Sequence, residues 1–158
     1  MERVHPSAEQ VSAAVEADPS PILLYDGACG LCDRAIQFVL ARERRNDLRF
    51  AALQGETAGE ILARHGLEPP EGKGFDTMVF VEDPGTSRER THLRSRAALK
   101  IGRYLGGRYA SLARLGHLFP NIVRDAVYRV IAKNRHRLFP APDACRVPTP
   151  EVRKRFLP

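Results

Sequence analysis

A chain of 158 residues, 43% hydrophobic and 28% charged, holds enough apolar material for the core of one domain without metal or disulfide staples. No apolar run approaches the roughly 20 residues that cross a bilayer. The opening MERVHPSAEQ lacks the basic and apolar regions of a secretory signal, so a soluble, cytoplasmic protein is expected. The net charge of +6 is lopsided: residues 1–100 carry 13 Lys/Arg against 16 Asp/Glu, whereas residues 101–158 carry 12 against 3.

That basic segment suits an acidic partner or surface, and a solvated Arg-rich helical face is the competing reading. Its charges are interspersed with core-type apolar positions and no nucleic-acid motif accompanies them, so no nucleic-acid partner is expected.

In chain order, residues 1–20 read as a helical arm. Ser7 and Gln10 have capping-box spacing, Val11, Ala14 and Val15 share a face, and Pro19 and Pro21 end the helix. ILLY (22–25) is a short apolar run broken by Asp26-Gly27, the pattern of a buried strand. A helix is predicted from about Gly30 to Glu43, with Cys32, Ile36, Val39 and Leu40 on its buried face. LRFAAL (48–53) is a second strand and ETAGEILARHG a helix stopping at Gly66.

FDTMVFVED reads as a third strand, turned at Pro84-Gly85 so that RERTHL returns antiparallel. Ser95 can cap a helix in which Ala98, Leu99, Gly102 and Leu105 share a face. Two more helices cover roughly Tyr109–Leu118 and Asn121–Lys133, the latter with an apolar stripe from Ile122 to Ile131. The Pro-rich tail is expected to be irregular until a last short turn. The order β-α-β-α-β-β-α predicts an α/β, thioredoxin-like three-layer fold. It is a single domain over 21–158, with a helical C-terminal extension from about residue 106.

This order puts Cys29 and Cys32 at the first strand-to-helix junction. A thiolate, not a thiol, attacks a disulfide, and a helix N-terminus favours the anion. Cys29, at the first turn, is therefore the candidate nucleophile. Cys32 sits one turn deeper, where burial keeps it protonated until it resolves a mixed disulfide. Asp26 can cap the turn or exchange a proton with Cys32. Two other readings stand beside redox chemistry: half of a zinc site completed by Cys145 and a histidine such as His136, or a pair of buried structural thiols. The zinc reading lacks a second Cys-x-x-Cys or His-x₃₋₅-His knuckle.

YDGACGLC (25–32) resembles the signature of the DCC family of thiol–disulfide oxidoreductase-like proteins, named for its Asp-x-x-Cys-x-x-Cys core. FAALQGETAGEIL, LRSRAALKIGRYLGG, NRHRLF and CRVPTPEVRKRFL resemble family segments in the same order, so the likeness spans about Ile22 to Leu157. It implies a thioredoxin-like fold, with Asp26, Cys29 and Cys32 as the site and a frequent C-terminal cysteine at Cys145. Where thioredoxins carry a cis-proline facing the cysteine pair, this chain has Asp76 or Thr77. Thr77 is thus a candidate substrate contact, and the missing proline keeps metal binding open.

The function expected is thiol–disulfide exchange in the protein-disulfide reductase direction, on a protein or small-molecule disulfide. A dithiol protein or glutathione would supply electrons, without a bound cofactor, since no dinucleotide fingerprint is present. A metal-binding or interaction module using the same cysteines is the alternative.

Overall fold

The short run Ile22–Tyr25 becomes the central strand, β1, with its first three side chains fully buried. The computed structural model describes residues 18–27, 29–67, 77–134, 137 and 149–158. After β1 come α1 (Gly30–Leu40), β2 (Arg49–Ala52), α2 (Glu56–Arg64), β3 (Val79–Glu82) and β4 (Arg90–Leu93). Then follow α3 (Arg94–Leu105), α4 (Gly107–Gly116), α5 (Asn121–Lys133), α6 (Pro150–Arg153) and β5 (Phe156–Leu157). Most of the expected N-terminal arm, and Cys145, lie outside the described residues.

The sheet order is β4-β3-β1-β2-β5. The α1 crossover makes β2 parallel to β1, pairing Ile22 with Arg49, whereas β3 runs antiparallel, pairing Leu24 with Val79. A tight turn through Asp83 (φ 47°) and Gly85 (φ 74°) returns the chain as β4. Alternation along the strands splits the core between the two sheet faces. Ile22, Leu24, Ala51, Val79 and Val81 pack on α2 through Ala58, Ile61 and Leu62. Leu23, Phe50 and Phe80 pack on Ile36 and Val39 of α1 and on Ala97, Ile101 and Leu105 of α3. This is a thioredoxin-like, three-layer α/β fold.

The later part of the chain departs from the sequence expectations in four ways. First, α3 turns Ala97, Ile101 and Leu105 toward the sheet. Ala98, Leu99 and Gly102 instead face α4, where a Cβ on Gly102 would come within 3.2 Å of Ala113 Cβ. Second, Ser95 does not cap α3. The cap position is Leu93, and the Ser95 hydroxyl is hydrogen-bonded to the Asp125 carboxylate on α5.

Third, the apolar stripe of α5 does not form core. Ile122 is 80% exposed and Val130 62% exposed, and α5 has no buried residue. Polar contacts hold it instead: the Tyr128 hydroxyl accepts the Met78 N–H at 3.2 Å and lies 3.0 Å from Thr77 Oγ1. Asn134 ends the same helix by donating to the Val130 carbonyl at 2.8 Å.

Fourth, the tail contributes a fifth strand. Thr149 caps α6, with Pro150 at its first position, and β5 then pairs with β2 in parallel. Arg155 fixes this end through two bonds to the Glu43 carboxylate, at 2.6 and 2.8 Å, and one to the Leu48 carbonyl at 2.8 Å. The Phe156 ring stacks on Phe50 with centroids 5.0 Å apart. Among the described residues, no helix is long and apolar enough to cross a membrane.

Candidate functional site

β1 ends at the sheet centre, and the chain leaves it through a turn in which the Cys29 N–H donates to the Asp26 carbonyl at 3.1 Å. Cys29 has extended backbone (φ −103°, ψ 114°) and is the N-cap residue of α1, its carbonyl accepting the Asp33 N–H at 3.1 Å. The first-turn amides of Gly30, Leu31 and Cys32 lie ahead of this i→i−4 ladder, beside the Cys29 side chain. Gly30 is buried at the start of the helix.

Cys32 lies on the inner face of α1 with Ile36 and Val39, as its spacing from them predicts. No disulfide joins the two cysteines in this structure, and both are enclosed, Cys29 being 3% exposed and Cys32 5%. Burial pushes the Cys32 thiol up to about 12, and the neighbouring Cys29 and the Asp26 carboxylate push the same way, while a main-chain hydrogen bond from Asp26 opposes them. At neutral pH Cys32 is therefore a thiol.

Gln54, in the turn between β2 and α2, binds this loop from the side. Its Nε2 donates to Asp26 Oδ1 at 3.0 Å, and its Oε1 accepts the Gly27 N–H at 3.5 Å. One amide thus fixes both the carboxylate and the peptide that leads to Cys29. The residue-by-residue reading misses Gln54. Its only signal is its place in FAALQG, a segment quoted for the family resemblance.

Thr77 precedes β3 by two residues. Continuing the β1–β3 register, in which Leu24 faces Val79, puts Thr77 alongside Asp26 at the same end of the sheet as the cysteine turn. Its side chain is buried, and its hydroxyl accepts the Arg94 N–H at 3.1 Å while meeting Tyr128. Arg94 itself has φ 53°, a left-handed conformation at the entry to α3. Among the described residues there is no cis peptide bond, and no three His, Cys, Asp or Glu side chains converge as a metal-holding group. Cys145 and His136, named for the zinc reading, are outside the described residues, as is Asp76.

Residues 23–141 match the family model described as DCC1-like thiol-disulfide oxidoreductase. The chain is 40% identical over 146 residues to the uncharacterized protein YuxK of Bacillus subtilis (strain 168), covering 90% of this chain and 98% of that one. It is 34% identical over 137 residues to the DCC family protein At1g52590, chloroplastic, of Arabidopsis thaliana, covering 87% and 75%. No solved structure matches. With the family match over most of its length and these two relatives, the chain belongs to the DCC1-like thiol-disulfide oxidoreductase family.

Proposed function

We propose that this protein is a protein-disulfide reductase that cycles Cys29 and Cys32 between dithiol and disulfide. The observation that carries the reading is the placement of the pair: Cys29 is the N-cap residue at the positive end of α1, and Cys32 lies one turn on along its inner face, where burial raises its thiol pKa.

In the first step the Cys29 thiolate attacks one sulfur of a substrate disulfide. That S–S bond breaks, and the departing sulfur takes a proton from solvent. Cys32 then loses its proton and attacks Cys29 Sγ, releasing the second substrate thiol and closing a Cys29–Cys32 disulfide. Two electrons have passed to the substrate. A dithiol protein or glutathione returns them, a direction suited to the reducing cytosol. Asp26, held by Gln54, shapes the turn, and its carboxylate, which acts on the Cys32 thiol electrostatically, receives the Cys32 proton. Thr77 meets an extended substrate through its main chain, since its hydroxyl is committed elsewhere. Because Cys29 is enclosed, attack requires a local opening of the loop around it.

Reduction of insulin disulfides by dithiothreitol in the presence of the protein tests this reading. Cys29→Ser is expected to abolish the acceleration. Cys32→Ser is expected to accumulate a mixed disulfide on Cys29, visible by mass spectrometry. A wild-type protein that gives no acceleration, yet is purified with stoichiometric zinc on its cysteines, would replace the redox reading with the metal-binding one.

A further inference from the structure

A cleft of about 490 Å³ opens between β4, α3 and the α4–α5 junction, away from the cysteine turn. Arg96, Lys100 and Arg103 enter it from one face of α3, at spacings of four and three residues. Arg124 enters from the first turn of α5, and His92 and His117 complete the rim. Among the described residues no carboxylate lines this cleft. The adjoining cleft of about 480 Å³ shares Lys100 and Arg103 but sets Glu82 and Asp83 against its cations.

The local charge balance makes the first cleft unusual. Glu82 neutralises part of one wall, binding Lys100 Nζ at 2.8 and 2.6 Å and His92 Nε2 at 2.8 Å. The Asp125 carboxylate, which does not line the cleft, is hydrogen-bonded to Ser95 and offsets part of the charge of Arg94 and Arg124. Arg96 and Arg103 form no ion pair with the described residues, and Arg124 is only partly satisfied. Its Nη2 donates to Asn121, while its Nε and Nη1 are buried without a hydrogen-bond partner. Arg124 as a whole is half-buried, but guanidinium N–H groups shielded from water without an acceptor are costly, and a further acceptor in the cleft would complete them. The positive end of the 13-residue α5 adds to the same field.

We propose that this cleft binds a small molecule bearing a diphosphate or longer phosphate group. Several guanidinium forks and an ammonium converging on one concavity match an anion with many oxygens and high charge density better than a single carboxylate. The volume falls in the range of small-ligand sites. The proposal does not depend on the cysteine chemistry.

Titration calorimetry with inorganic pyrophosphate, at about 0.15 M salt, tests it. Saturable one-site binding is expected, with citrate binding more weakly. Arg96→Ala combined with Arg103→Ala is expected to weaken pyrophosphate binding about tenfold or more. Both residues are exposed, so the fold should persist. Arg114→Ala removes an exposed charge of α4 outside the cleft and should leave binding unchanged. Absence of saturable binding, equal affinity for citrate, or an equal loss in Arg114→Ala would each overturn the proposal.

Discussion

The sheet with α1 and α2 and the α4–α5 extension are held to the same molecule by different forces. In the first region apolar side chains from strands and helices interlock, and Ile22, Leu24, Phe50 and Ile61 are almost completely out of water. In the second, Leu112, Leu118, Ile122 and Val130 remain more than half exposed, and α5 is attached by the hydroxyl of Tyr128 and the carboxylate of Asp125. Apolar burial is distributed over many contacts and indifferent to pH, whereas a polar staple concentrates attachment in one or two atoms. The attachment of α5 therefore depends on individual groups in a way that the core does not, whereas α4 is packed on α3 through the buried Ala113 against Gly102.

The largest expected effect lies in the core. Ile61→Ala removes a side chain that is 1% exposed, packed between α2 and the sheet, and should cost about 2–5 kcal/mol in urea unfolding. A loss under about 1 kcal/mol would mean that this face is loosely packed and that the contrast between regions is false.

Tyr128→Phe comes next. It removes the acceptor of the half-buried Met78 N–H and the partner of Thr77, for an expected cost of about 1–3 kcal/mol. Amide exchange should rise in α5 and at Met78 more than in β1. Uniform acceleration through the sheet would show that α5 is no separate unit.

A titration sharpens the same point. The Ser95 hydroxyl, bound to the Asp125 carboxylate, holds its pKa below the ordinary 3.8. A depressed folded-state pKa contributes stability that is present above the unfolded value and lost as the pH falls through the folded one. Acidification below 3.8 should thus loosen the α3–α5 contact, seen as shifts of the α5 amide resonances. Ser95→Ala should move that titration up toward the ordinary 3.8 and Asp125→Asn should remove it, and its persistence in Asp125→Asn would assign the effect to another group.

The smallest effect is expected on the exposed stripe. Ile122→Ser, at an 80% exposed position, should change stability by less than about 0.5 kcal/mol. A change as large as that of Ile61→Ala would require that α5 is covered in solution.

The placement of the cysteines was legible because it rests on local rules. ILLY has the apolar run of a central strand, Asp26-Gly27 breaks it, and the i, i+4, i+7 spacing puts Cys32 inward with Ile36 and Val39. Gln54 was not legible in this way, because its role depends on β2 lying beside β1 and bringing two separate turns together. Nor was the enclosure of Cys29, since a residue at a turn is covered or open according to what packs over it.

By itself, then, the sequence determined the elements from β1 to β4, their layered order and the chemistry available at the cysteine turn. Those follow from periodicity, turn residues and helix ends, which act over a few neighbours. Only the tertiary structure decided that β5 extends the sheet and that the regular apolar stripe of α5 stays in water. It also brought Arg96, Lys100, Arg103 and Arg124 together around one cleft. Periodicity tells a helix which face is apolar, but not whether another surface lies within reach of it. The same limit applies to YDGACGLC: its own residues place two thiols at the end of a strand, and the surrounding fold encloses both.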